Sequence, residues 1–176
     1  MEVNMMNDKK KYSLWMTMIK YFILWMIGGS VYYMIEIFYR GYSHSSMFIV
    51  GGICFLLIGA INEIFQWQLY LEVQLLLGDI AVLMVEFIAG CIVNIWLELN
   101  VWDYSNLPCN LLGQICLPFA ILWIPVVALA VVVDDWIKWR FMNEEAPRYY
   151  IWICTKIIKG DDGLVIPFVK PQKRKS

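Results

Sequence analysis

From Leu75 to Leu97 the chain reads LLLGDIAVLMVEFIAGCIVNIWL, an apolar run broken by Asp79, Glu86 and Asn94. A helix of ~20 such residues crosses the hydrocarbon core of a bilayer. The run lacks the period-two alternation of a membrane strand, so a helix is the reading. Asp79, Glu86, Gly90 and Asn94 follow at steps of seven, four and four, which puts them on one helix face. A carboxylate at the bilayer centre costs roughly 2.5–3.5 kcal/mol on insertion scales, so this face must turn away from the lipid tails.

Three further runs of similar length flank this one: Leu14–Ile37, Met47–Trp67 and Leu111–Val133. Trp15, Trp67, Trp96, Trp102 and Trp136 stand near their ends, where amphipathic rings favour the headgroup level. Lys9, Lys10, Lys11 and Lys20 lie at the start of the chain and Lys138, Arg140, Arg148, Lys156, Lys159, Lys170, Lys173, Arg174 and Lys175 at its finish, with only Arg40 between. Basic residues are retained on the cytoplasmic side, so both termini are expected inside, which demands an even number of crossings. The expected fold is an all-α integral membrane protein, a bundle of about four transmembrane helices. Residues 1–13 form a basic cytoplasmic segment, 14–137 the transmembrane domain and 138–176 a cytoplasmic tail. Within the tail, Tyr149–Ile158 and Leu164–Val169 flank Lys159-Gly160-Asp161-Asp162-Gly163, the pattern of a short β-hairpin. The first span is long and lacks an A-x-A cleavage pattern, so it reads as a retained helix rather than a signal peptide.

Composition agrees. Of 176 residues, 61% are hydrophobic and 16% charged, too apolar for an ordinary soluble domain. The terminal Lys and Arg residues suit anionic lipid headgroups, making the lipid bilayer the expected partner and nucleic acid not one. The five cysteines are odd in number and show no C-x-x-C or Cys/His pairing at metal-ligand spacing. No metal, cofactor or catalytic residue is assigned.

The remaining spans repeat the polar-face pattern. Gly29, Tyr33, Glu36 and Arg40 share a face of the first span, with Glu36 and Arg40 spaced to pair and His44 one step beyond. The second carries Gly52, Gly59, Asn62 and Glu63; the fourth places Gln114 one turn below Asn110. Depth sorts these into an outer set (Glu36, Arg40, His44, Asn94, Asp103, Asn110 and Gln114, with Trp102 and Tyr104 beside it) and an inner set of Asn62, Glu63 and Asp79, linked by Glu86. The acids outnumber the basic residue available to them, so the expected site is a wet intramembrane pocket that binds a polar or cationic solute or a lipid headgroup. The competing reading is that these groups only hold helices together by interhelical hydrogen bonds.

Several stretches point to a family: Ile35-Glu36-Ile37-Phe38-Tyr39-Arg40-Gly41-Tyr42-Ser43-His44, Gly59-Ala60-Ile61-Asn62-Glu63, Val85-Glu86-Phe87-Ile88-Ala89-Gly90, Val101-Trp102-Asp103-Tyr104-Ser105-Asn106-Leu107-Pro108, and Asn110-Leu111-Leu112-Gly113-Gln114-Ile115-Cys116-Leu117. On these the chain resembles the type IV, or CmpB-like, ABC-transporter permeases, a group of small bacterial membrane proteins; the resemblance runs from about Trp25 to Trp139. It implies a multi-pass transport component of the bacterial cell membrane. A G-x-x-x-x-G-K-[ST] loop is absent, so an ATPase would be a separate chain. Four helices are few for a transport pathway, which implies a homodimer or a second membrane subunit. Two other classes stay open. Glu36, Arg40 and His44 could serve an intramembrane enzyme acting on a lipid or envelope substrate at the outer face, with His44 as general base. A non-catalytic assembly or sensing subunit would use the same residues for packing.

Overall fold

The computed structural model describes residues 2–65, 69–142, 144 and 146–151, with side chains from Leu14 onward. It is all-helical: α1 spans Glu2–Arg40, α2 Ser45–Phe65, α3 Leu71–Gly90 and α4 Leu117–Met142, with a π-helical continuation of α3 over Cys91–Trp96. Four segments are long and apolar enough to cross a membrane: Leu14–Arg40, Ser45–Phe65, Leu71–Trp96 and Leu117–Met142. Among the described residues there are no strands, only isolated bridges at Tyr70–Tyr150 and Leu111–Ile115. The part of the expected hairpin beyond Ile151 lies outside the described residues.

α1 covers the expected first span, α2 the second as far as Phe65, and α3 with its π-helical continuation the third as far as Trp96; residues 66–68, at the end of the expected second span, lie outside the described residues. The fourth is displaced along the chain, starting at Leu117 rather than Leu111 and running past Val133 to Met142. The late start has a local cause. Leu112 and Gly113 adopt left-handed backbone angles (φ 51° and 69°), which no right-handed helix can contain. Pro118 then sits in the first turn, where a missing N–H costs nothing. Pro125 lies inside the helix. The late finish follows from Asp134, Asp135 and Lys138, which extend the buried face of α4 because each finds a partner.

The chain divides into two compact units, and the boundary after Leu56 falls within α2. In the first unit, α1 meets the opening half of α2 through paired glycines. A Cβ on Gly28 would lie 3.1 Å from the Gly51 carbonyl oxygen, and one on Gly51 would lie 3.2 Å from that of Gly28. Such close backbone approach drives helix association where there is no hydrophobic effect to do so. Leu24 is fully enclosed here, and Trp25 meets Phe48 edge-on at 5.2 Å. After Arg40, Gly41 (φ 79°) takes the left-handed position that ends α1, its N–H bonding Ile37 O at 2.8 Å. Gly51→Leu is expected to lower stability by about 1–3 kcal/mol, the overpacking range. Ile49→Leu, at a side chain 51% exposed, should leave it unchanged. Thermal unfolding in detergent separates the two.

In the second unit, Gln74, Gly78, Asp79, Val82, Glu86 and Gly90 form the buried stripe of α3. Gly78 admits Val127 of α4, and Gly90 admits Gln114 from the loop before α4. Tyr70, the N-cap of α3, offers no side-chain hydrogen bond to the helix. The Leu71 N–H is instead accepted by Tyr150 O at 2.7 Å.

Candidate functional site

α4 ends in a buried ionic cluster. Asp134, Asp135 and Lys138 are 0%, 4% and 4% exposed. The Lys138 Nζ lies 2.7 Å from Glu63 Oε1 and 2.7 Å from Asp134 Oδ2, and donates to Gly59 O at 3.0 Å. Gly59 is required at that position, since a Cβ there would land on the Asp134 carboxylate. Asp134 and Lys138 are one turn apart on α4, so the helix itself sets half of the geometry. Glu63 is the less enclosed arm, its side chain 28% exposed.

The adjacent carboxylate has different company. Asp135 Oδ2 accepts from Asn62 Nδ2 at 2.8 Å and from the Tyr149 hydroxyl at 2.8 Å. Burial, reinforced by the Asp135 carboxylate, pushes the Tyr149 phenol above its ordinary range, so it remains a proton donor. Neighbouring acids on one helix thus have separate roles, Asp134 in an ion pair and Asp135 as acceptor of neutral donors. Breaking such a buried pair by removing one partner is strongly unfavourable, because a charge is left enclosed.

Glu86, buried toward the middle of the third span, accepts from Trp123 Nε1 of α4 at 2.9 Å. Asp79 is also buried, and its Oδ1 has no hydrogen-bond partner among the described residues.

A third polar group lies where α3 passes through its π-helical turns into the long loop. Asn94 Nδ2 donates to Gln114 Oε1 at 2.8 Å, and Asn94 Oδ1 accepts the Val101 N–H at 2.7 Å. Trp102, itself buried, donates from Nε1 to Gln114 O at 3.0 Å. Further along, Asp103 accepts from the Ser105 hydroxyl at 2.5 Å and amide at 2.8 Å, in that order of effect holding its carboxyl below the usual range. Asn110 Nδ2 donates to Ser105 O and Leu107 O, and its Oδ1 accepts the Gly113 N–H. Tyr104 stacks on Phe119 with centroids 4.5 Å apart, fastening the loop to α4. These bonds give the loop backbone the partners that no helix or sheet supplies.

In the first unit, Arg40 Nη2 pairs with Glu36 Oε1 at 2.5 Å, and the Ser43 hydroxyl donates to Glu36 Oε2 at 2.5 Å. His44 Nδ1 accepts the Ser46 N–H at 3.2 Å and lies 2.8 Å from its hydroxyl. His44 therefore caps the N-terminus of α2, filling the part more often taken by Ser, Thr, Asp or Asn.

Of the residues singled out from sequence, Asn94, Trp102 and Gln114 come together, with Asp103 and Asn110 in the same loop. Gln114 reaches Asn94 from that loop and not from a helix turn. Glu36, Arg40 and His44 form their own group in the first unit. Asn62 and Glu63 meet α4 through Asp135 and Lys138. The sequence reading missed Asp134, Asp135, Lys138, Tyr149 and Trp123. One signal was available: Asp134 and Lys138 stand at the i, i+4 spacing of a helical ion pair. No three described His, Cys, Asp or Glu residues are grouped to hold a metal ion. No curated protein and no solved structure matches the chain. Residues 15–160 match the family model described as "Putative ABC-transporter type IV".

Proposed function

This chain belongs to the type IV ABC-transporter family, and from that membership we propose that it is a membrane-spanning component of an ABC-type transport system. The observation that carries the reading furthest is Lys138, a cation enclosed with Asp134 and Glu63 within membrane-spanning helices. Joining apolar helices requires no ionised groups, and a buried ion pair is weak evidence of stabilisation for its own sake. Groups this costly inside a bilayer typically mark a path for ions or polar solutes.

The solute is polar or cationic, or carries a lipid headgroup, and Glu86 is the group it or a proton would meet near mid-depth. Both termini face the cytoplasm, in a bacterial cell membrane, which puts the Lys138 cluster toward the cytoplasmic side. These 176 residues hold no phosphate-cradling G-x-x-x-x-G-K-[ST] loop, so the ATPase of such a system lies outside them. A second copy or another membrane subunit completes the pathway. The catalytic alternative drew on Glu36, Arg40 and His44, whose hydrogen bonds instead support a turn and a helix cap.

Purification of the chain from its native membrane in mild detergent tests the reading. A nucleotide-hydrolysing chain should co-purify, and Glu86→Gln should keep that complex while lowering its ATP-driven turnover at least tenfold. Folded chain that brings down no ATP hydrolysis would overturn the proposal, and unchanged turnover in Glu86→Gln would remove Glu86 from the path.

A further inference from the structure

After α4 the chain doubles back across the ends of three helices. The Glu144 N–H bonds Lys138 O at 3.3 Å, Pro147 is fully enclosed, and Tyr149 is buried with its hydroxyl on Asp135. One residue later, Tyr150 O takes the Leu71 N–H at the start of α3. Asn62 of α2 shares the Asp135 oxygen that Tyr149 holds. Residues 146–151 therefore touch the buried cluster on one side and the α3 N-terminus on the other.

We infer that residues 146–151 form a releasable latch, which closes the Asp135 side of the cluster and fastens it to the N-terminus of α3. Three features make it a latch rather than ordinary core. Its residues carry no helix and only the isolated Tyr70–Tyr150 bridge, so no extended ladder of backbone bonds has to break when it moves. The Leu71 N–H belongs to the first turn of a helix, where water can replace Tyr150 O, and Tyr70 supplies no competing side-chain cap. Asp135 keeps the Asn62 bond when Tyr149 leaves, so the carboxylate is not stranded. Release frees one acceptor position on Asp135 Oδ2 beside the Asn62 bond, suited to a cation or a proton donor. Its purpose in transport rests on the reading above; the latch itself is tested without transport.

The measurement is amide hydrogen exchange on the full chain in lipid nanodiscs, comparing wild type with Tyr149→Phe and Tyr149→Ala. The hydroxyl of Tyr149 bonds Asp135, not Leu71, so only a strap moving as a unit links its loss to the Leu71 amide. Tyr149→Phe is expected to speed Leu71 exchange roughly fivefold, the effect of one lost hydrogen bond on local opening. Tyr149→Ala should exceed it, and the amides of residues 48–55 in the first unit should stay at the wild-type rate. If Tyr149→Ala also accelerates 48–55 it has unfolded, and Tyr149→Phe alone decides. Wild-type exchange at Leu71 in a folded Tyr149→Phe chain overturns the latch. That result, with ATP hydrolysis still co-purifying, would leave the transport proposal standing; linked exchange without a co-purifying ATPase would do the reverse.

Discussion

Lys138→Met is expected to lower the stability of the folded chain by about 3–5 kcal/mol, the range for removing one partner of a buried ion pair. The lysine stem is enclosed, so Met conserves most of the packing and the loss isolates the charge. Asp134 is the reason for the size of the effect. It is fully buried, one turn from Lys138, and without the ammonium its carboxylate stays enclosed in a membrane-spanning helix. Glu63 is less enclosed and its loss leaves Lys138 still paired with Asp134, so Glu63→Gln should cost only about 0–1 kcal/mol. Adding Asp134→Asn to Lys138→Met should recover a large part of the loss, because the stranded charge goes with it. Unfolding in detergent, followed by circular dichroism, gives all four values. Equal stability of Lys138→Met and wild type would show that the ammonium does not neutralise Asp134.

Gly59→Val should be the second most damaging single change, at about 1–3 kcal/mol from overpacking together with weakening of the ion pair. A Cβ at residue 59 would sit 2.6 Å from both Asp134 Cγ and Oδ1, inside any permitted contact. The Asp134 side chain cannot swing away without leaving Lys138, and Lys138 also donates to the carbonyl of Gly59 itself. One added branch therefore disturbs three groups. Gly59→Ala should give a smaller effect of the same sign. Ala60→Val, one residue on, leaves Gly59 in place and is the control. The comparison requires only the thermal midpoints of the three proteins, and a Gly59→Val midpoint at the wild-type value would mean that α2 and α4 are not in contact at this glycine.

The helical membrane fold was legible because apolar length is a direct consequence of bilayer thickness. The α3 stripe was legible too, since Asp79, Glu86 and Gly90 keep helical spacing and all lie in the buried face. What sequence could not supply was the depth of the last charged residues. Asp134, Asp135 and Lys138 end the apolar run, and hydropathy alone cannot separate polar residues leaving the membrane from polar residues neutralising one another. The partners that decide it, Gly59, Asn62 and Glu63, are between 73 and 79 residues away. The start of α4 was misplaced for a different reason. Leu111 and Leu112 are apolar enough for a helix, but Leu112 takes a left-handed angle that hydropathy does not register. Tyr149 lay in a segment read as a strand, while its function here is set by the phenol reaching Asp135.

The π-helical turns at Cys91–Trp96 bear on where this chain can change its length. Each such turn holds more residues than an α-turn, and Leu97 N–H reaches back to Ile92 O across five positions. Deleting one residue from the segment would let the ladder revert to four-residue steps, and because the wider turn had absorbed that residue, the chain beyond it would keep nearly the same direction. Leu99 and Val101 bond Val93 O and Asn94 Oδ1, so Val93 and Asn94 are the two positions within the segment that a deletion has to spare. A single-residue gap elsewhere in the segment is thus tolerable to the helix and to the loop it launches, which makes these six positions the place where a shortened relative would lose a residue.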